Sequence, residues 1–403
     1  MYNIGLFNDS FPPTIDGVAN TVINYANILK EKNYANPIVI TPGYPGITDD
    51  YIFDVYRYPS AKLTKQMPYR VGNPFSAKTA KYLKSRELDL LHVHSPFASS
   101  LVARHLVKKT KDRHIPTVLT YHTKFEIDIA RYVKFPPFAY VSKKFVSHNI
   151  NLADEVWAVS KGTADSLKIF GYDREIIIMP NGTDFEKGPA SSEAIAEINQ
   201  KHGIADEKLV FFYCGRMMWY KNIKITLDAL KILSQNGISY KMIFVGDGPD
   251  RLSIEKYARE LGIYDNLIFA GAVHDRDKVK AYFSRADLFL FPSTYDTSGL
   301  VVKEAAACGC ASVLIKGCCA AEGVEDGVSG IIADEETPES FAKALIDAIR
   351  TEGLLEKVGK GAEEKVYFSW EQSVDLAQKR YEIVIENFNK KKEKNAAKAA
   401  FLL

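Results

Sequence analysis

The stretch Leu288 to Glu304, LFLFPSTYDTSGLVVKE, decides the fold. Leu288 to Phe291 is an apolar run with the character of a buried strand, and it stops at Pro292. A polar loop with Asp296, Ser298 and Gly299 follows, and then a helix-like segment carrying Glu304 on its early turns. A buried strand, a glycine loop at its carboxyl end and a helix start are the parts with which open α/β sheets bind anionic ligands. Two carboxylates, Asp296 and Glu304, with seven residues between them, face that loop.

The segments around this stretch repeat the pattern. LVFFYCGRMMWYKN opens with an apolar strand, Leu209 to Tyr213, which runs into Gly215-Arg216, and Lys221 follows just ahead of a helix. Two cations beside a strand end and a helix start can neutralise a departing diphosphate without a metal. Met242 to Val245 leads to Gly246-Asp247-Gly248-Pro249, and Leu267 to Phe269 leads to Ala270-Gly271-Ala272-Val273. With Ala311 to Ile315 and Ile331-Ile332 these strands predict a parallel sheet.

The N-terminal half alternates in the same way. Ile4 to Phe7 reads as a strand, followed by a turn-rich loop and an amphipathic helix whose start carries Gly17. A residue without Cβ at that junction lets a phosphate approach the backbone amides. Further strands are expected at 37–40, 52–57, 88–94, 117–122, 155–160 and 176–179, separated mostly by helices and not by hairpins. LLHVHSPF and VLTYHTKFE each bring histidines to a strand's carboxyl end, where ligands of such sheets collect. His92 and His94 are expected to diverge to opposite faces and not to share one ligand.

The predicted organisation is α/β, with two doubly wound parallel-sheet domains: residues 1–185, a linker over 186–207, residues 208–368, a helix over 369–388 and a basic tail over 389–403.

These segments, taken in order, resemble the retaining nucleotide-sugar glycosyltransferases of family four, and within them the bacterial diacylglycerol glucosyltransferases. The family's P-S-x-x-E-x-x-G-L-x-x-x-E-A appears here with Asp296 at the first acidic position and Glu304-Ala305 at the second. G-R-x-x-x-x-K is matched by Gly215-Arg216 and Lys221, the H-T motif by His122-Thr123, the aspartate of N-G-[VI]-D by Asp184 in Asn181-Gly182-Thr183-Asp184, and the glycine loop by DGVAN at Gly17. The resemblance implies the GT-B fold, two Rossmann-like domains with a cleft between them, and a helix at 369–388 that returns to the N-terminal domain. It implies a UDP-sugar donor, transfer of a hexose such as glucose with retention, and no metal. In the roles it carries over, Arg216 and Lys221 bind the donor phosphates, Glu304 the ribose and His122 the sugar. Asp296, one methylene shorter than the family's glutamate, orients the sugar with the backbone of Ser298, Gly299, Leu300 and Val301. Gly17 lies against the diphosphate, and Val273 lies near the base. Transfer to a soluble or polyprenyl-linked glycan and, from another class, nucleotide-sugar epimerisation or silent sugar-nucleotide binding remain as rival readings.

Composition sets the outer bounds. The 403 residues are 46% hydrophobic and 25% charged, as in a globular two-domain chain, and the net charge of +2 does not mark a nucleic-acid binder. The start, MYNIGLFNDSFPP, enters a strand pattern without a basic region and apolar core, and no apolar run approaches the roughly 20 residues of a spanning helix. A cytoplasmic protein at the inner face of the cell membrane is therefore expected. Cys308 and Cys310 have one residue between them and Cys318 and Cys319 none, whereas zinc pairs need about two to four, so these are expected to be buried thiols.

Two segments interleave basic and aromatic residues: KLTKQMPYR, with Lys62, Lys65 and Arg70, and RYVKFPPFAYVSKKF, with Arg131, Lys134, Lys143 and Lys144. Such surfaces suit an anionic bilayer and hence a lipid acceptor. Solvated lysines over core aromatics make the same pattern.

Overall fold

In the computed structural model the described residues are 1–14, 16–62, 70–109, 115–127 and 136–401, leaving aside the side chains of 107–109, 136 and 395–401. The chain divides into two units, Met1–Asn181 with Trp370–Leu403, and Gly182–Ser369. Each is α/β.

The first unit is built on Tyr2–Phe7 (β1), Ala35–Pro42 (β2) and Asp54–Tyr58 (β3), then Ser60–Ala61 (β4) and Val71–Gly72 (β5), which pair antiparallel as a small ribbon. Leu90–Val93 (β6), Thr117–Tyr121 (β7), Glu155–Ala158 (β8) and Ile176–Ile178 (β9) complete it. Seven of these strands form one sheet in the order β3-β2-β1-β6-β7-β8-β9, parallel throughout. Leu90 to Val93 and Val118 to Tyr121 are buried without alternation, as expected of strands covered on both faces. Helix Gly17–Glu31 is capped by Asp16, whose Oδ1 accepts from Val18 N at 3.0 Å and Ala19 N at 2.8 Å, and it buries Val22, Tyr25, Ala26 and Leu29.

Helix Trp370–Phe401 is part of this unit. Tyr381 stacks on Trp157 at 5.3 Å, and Trp370 meets the Tyr25 ring edge-on at 6.2 Å. Arg380 clasps Glu155 through Nε at 2.8 Å and Nη2 at 2.6 Å, while Tyr34 Oη donates to Asp375 at 2.9 Å. Ser373 Oγ donates to Pro180 O at 2.7 Å. The helix runs well past residue 388, through the basic segment to Phe401.

In the second unit Leu209–Cys214 (β10), Tyr240–Val245 (β11), Leu267–Gly271 (β12), Leu288–Leu290 (β13), Ala311–Ile315 (β14) and Ile331–Ala333 (β15) form a parallel sheet. Its order is β12-β11-β10-β13-β14-β15. Sequence order reverses direction between β10 and β13, and at such a switch the loops leave the sheet on opposite sides and open a crevice at the strands' carboxyl ends. The stretch 288–304 supplies β13, its loop and the helix Leu300–Ala307.

Candidate active site

The carboxyl ends of β10, β11 and β12 are bound together by main chain. Gly215 N donates to Val245 O at 3.0 Å, Gly246 N to Gly271 O at 2.8 Å, and Met217 N to Asp247 O at 3.0 Å. A Cβ on Gly246 would stand 1.9 Å from Gly215 O, so glycine is required for this close approach. On the other side of the switch, Gly299 has φ 55° and caps the helix Leu300–Ala307. A Cβ there would also come within 2.8 Å of Ala320 Cβ. Both loops hold main chain where a bulky residue is excluded.

Lys221 and Asp296 meet in an ion pair, Nζ to Oδ1, from the loops after β10 and β13. The pair is framed by Tyr220 and Tyr295, whose rings lie edge to face at 4.7 Å. Next to Lys221, Asn222 adopts a left-handed conformation (φ 60°) and donates from Nδ2 to Pro292 O at 3.0 Å and to Glu336 Oε1 at 2.6 Å. Arg216 is exposed, and its carbonyl accepts from Tyr213 Oη at 3.0 Å. Three polar atoms of the β13 loop are buried without a hydrogen-bond partner: Ser293 Oγ, Asp296 Oδ2 and Ser298 Oγ. Buried polar atoms are nearly always satisfied, so a loop with three open ones is shaped for a polar ligand.

Glu304, 12% exposed at its side chain, is held by Arg276, Nη2 to Oε1 at 2.8 Å. The same guanidinium clasps Asp184 through Nη2 at 2.5 Å and Nε at 3.0 Å, and it lies over the Phe185 ring at 4.3 Å. Burial pushes the Glu304 carboxyl above its usual range, and Arg276 works against that. Burial disfavours the charge on Arg276, but Glu304 and Asp184 hold it protonated. Val273 packs against the unit's core, and Leu300 and Val301 begin the helix that carries Glu304.

In the first unit three histidines cluster. His92 Nδ1 bonds Tyr381 Oη at 2.5 Å and its Nε2 bonds Thr120 Oγ1 at 2.6 Å, while His94 Nδ1 bonds His122 Nε2 at 3.0 Å. The expectation that His92 and His94 diverge is wrong. Side chains two residues apart on extended backbone lie on the same side, and their ring centroids are 3.9 Å apart. Burial keeps all three neutral: His92 and His94 lie well below the usual imidazole range and His122 is pushed down to about 3. His94 Nε2 has no partner. Gly17 begins its helix as expected, but the amides of Val18 and Ala19 are taken by Asp16. A phosphate at Gly17 has to approach beside that carboxylate or displace it.

Comparison with known proteins identifies the family. Residues 15–187 match Glycosyltransferase Family 4 and residues 194–365 match Glycosyl transferases group 1. The chain is a GT-B glycosyltransferase. It is 25% identical over 394 residues to the alpha-monoglucosyldiacylglycerol synthase of Streptococcus pneumoniae, covering 96% of this chain and 84% of that one. It is 27% identical over 378 residues to the synthase of the same name from Acholeplasma laidlawii, covering 89% and 91%. The crystal structure of Anabaena HepE in complex with UDP-glucose superposes with a TM-score of 0.72 at 18% identity, covering 96% of this chain and all of that one, which shows the fold.

In this glycosyltransferase, helix Pro136–Asn151 presents Phe138 (65% exposed), Tyr140 (60%) and Val141 (61%) beside the exposed Lys143 and Lys144. Phe138 and Tyr140 are therefore on the surface and not in the core, and Lys144 Nζ lies 5.2 Å from the centre of the Tyr140 ring. Lys62 is exposed, whereas Arg70 is engaged inside the unit, donating from Nε to Ser60 Oγ at 2.8 Å and from Nη2 to Ser60 O at 2.9 Å. Lys65, Arg131 and Lys134 lie outside the described residues. All five cysteines are free thiols, and Cys308, Cys310, Cys318 and Cys319 are buried. Among the described residues no group of His, Cys, Asp or Glu converges to hold a metal ion, and no helix is long and apolar enough to cross a membrane.

Two charged residues just past strand ends escaped sequence reasoning. Arg276 lies in HDRDK directly after β12, and its place at a strand-to-helix loop on the ligand end of the sheet was the available signal. Asp9, just past β1, accepts from Ser95 Oγ at 2.6 Å, Ser99 N at 2.9 Å and Ser99 Oγ at 3.0 Å, and burial still pushes its carboxyl up.

Proposed function

We propose that this glycosyltransferase moves a hexose, glucose first, from a UDP-sugar to a diacylglycerol-type lipid, with retention at the anomeric carbon and without a metal. The observation that carries the reading is the Lys221–Asp296 pair at the switch of the second sheet, beside three unpartnered buried polar atoms. The names of the two curated relatives support a glucosyl donor and a glycerolipid acceptor.

In the step proposed, the acceptor hydroxyl oxygen forms a bond to the anomeric carbon as the bond from that carbon to the β-phosphate oxygen breaks. The electron pair leaves on the phosphate, which takes the hydroxyl proton on the same face of the sugar. Arg216 and Lys221 stabilise the charge that develops on the diphosphate. Asp296 orients the sugar with the backbone of Ser298 to Val301, and Glu304 accepts from the ribose hydroxyls. His122 keeps the sugar contact that its motif implies. The exposed aromatic and basic helix supports a membrane-borne acceptor at an anionic surface.

The deciding experiment offers UDP-glucose or UDP-galactose with diacylglycerol in anionic vesicles, and separately with water-soluble sugars, in a chelator throughout. An α-linked glucolipid formed in chelator is the expected product. Turnover only with soluble sugars overturns the lipid acceptor, a need for added metal overturns the metal-free step, and interconversion of the two donors without acceptor overturns transfer itself.

A further inference from the structure

Arg276 breaks a local rule. It is the first residue of the helix Arg276–Arg285, where the helix dipole favours acids and opposes a cation. Its three charged contacts lie 92 and 28 residues away in sequence, so the fold and not the helix places it there. A residue that violates local preference while joining two distant carboxylates points to a site requirement.

Resting on the reading above that Glu304 receives the donor's ribose, we propose that Arg276, braced by Asp184, is a positioning residue that keeps Glu304 ionised and aimed at a vicinal diol. A carboxylate has two acceptor oxygens and can take both hydroxyls of a diol, whereas a protonated carboxyl has given up part of that capacity and become a donor. Arg276 touches Oε1 only, which leaves Oε2 and the second lone pair of Oε1 open. Asp184 takes Nε and part of Nη2, so the guanidinium fork is fixed from behind and its remaining direction is toward Glu304.

Among the described residues, Arg276 is the cation whose charge acts on Glu304. The described ionisable groups near Glu304 are Arg276, Asp184 from the segment that opens the unit, Cys214 at the end of β10, Cys308 beyond its own helix, with Lys280 acting on Cys308, and the preceding residue Lys303, which burial pushes down to about 8. Lys280 itself donates to Glu186 O at 3.0 Å. Both thiols are pushed up by burial and stay neutral, Cys214 to about 12 and Cys308 to about 11. Without Arg276, Glu304 faces burial and the Asp184 charge with no described cation offsetting them, and it takes up a proton at higher pH.

The test is UDP-glucose binding by calorimetry to the full chain between about pH 6 and 8, a range clear of unperturbed carboxylates. The parent protein is expected to bind with nearly constant affinity. Arg276→Gln is expected to bind more weakly and to lose further affinity as pH falls, at most about tenfold per pH unit. Arg276→Lys, which restores the charge, is expected to flatten the profile again, and Asp184→Asn to shift it in the same direction as Arg276→Gln by less. Glu304→Gln is expected to bind weakly at every pH. An Arg276→Gln loss that is equal at all pH values, in a protein with a parental melting curve, overturns the brace while leaving the ribose assignment in place. If Glu304→Gln binds as tightly as the parent, the ribose assignment falls, and this inference falls with it.

Discussion

Lys221 Nζ is bonded to Asp296 Oδ1, so the cation that resembles the family's phosphate ligand and the acid that resembles its sugar ligand are direct partners. Neither is spent by this contact. Lys221 keeps two further ammonium hydrogens, and Asp296 keeps a buried, unpartnered Oδ2. Lys221→Ala is expected to lower kcat about 10²–10³-fold, the range for removing one preorganised donor to a developing anion. Asp296→Asn keeps the shape but removes the counter-charge, and a loss in kcat with little change in melting temperature is expected from steady-state kinetics and calorimetry.

Gly299 offers a purely structural test. Gly299→Ala asks a residue with a Cβ to hold φ 55° and to overlap Ala320, whose own backbone follows the short turn after Cys318. A destabilisation of about 1–3 kcal/mol is expected from the denaturant midpoint of the second unit. Donor affinity falls with it, because the helix start that carries Ser298 to Val301 must move. A variant with parental stability would mean that the loop relaxes freely.

The buried histidines give the first unit a pH dependence of known sign. In the fold His92, His94 and His122 resist protonation because they are buried, whereas in the unfolded chain they take up a proton below about pH 6.5. The unfolded state therefore binds more protons in this window, and stability falls as pH drops from about 6.5 toward the folded value, which for His122 is about 3. Each histidine contributes up to about 1.4 kcal/mol per pH unit. Denaturant titrations at several pH values check the slope, and His122→Asn should make it shallower. Turnover should show no inflection from these groups near neutral pH.

Membrane association is expected to depend on helix Pro136–Asn151. Replacing Phe138, Val141 and Phe145 together with Ser removes the exposed apolar face, and reversing Lys143 and Lys144 to Glu removes its charge. Each should weaken sedimentation with anionic vesicles by about tenfold or more, given about 1 kcal/mol per basic residue near a charged surface, and only the charge change should lose its effect at high salt. Parental binding in both variants would place any membrane contact elsewhere.

Much of the fold could be read from the chain because its signals are local. Apolar runs such as Leu209 to Tyr213 and Leu288 to Phe291 are buried strands, and each gives way to a glycine loop at the ligand end. What escaped was set by distance. Nothing near Arg276 announces that Asp184 and Glu304 converge on it, and nothing in YKN announces that Lys221 meets an acid 75 residues later. The error over His92 and His94 was one of strand geometry, since residues two apart share a side. Whether Phe138 and Tyr140 faced core or solvent depended on which helix face the sheet covered, and interleaved aromatic and basic residues leave that open.

The long C-terminal helix bears on how the protein is made. Trp157, Glu155 and His92 emerge from the ribosome long before Tyr381 and Arg380, their partners in the finished structure. The unit that begins the chain therefore has to wait, with part of its core uncovered, while the whole of Gly182–Ser369 is synthesised and is free to fold. Birth order and completion order are reversed. A nascent chain stalled before residue 370 should hold a finished second unit beside an unfinished first one, and that interval is when this protein is most exposed to proteases and chaperones.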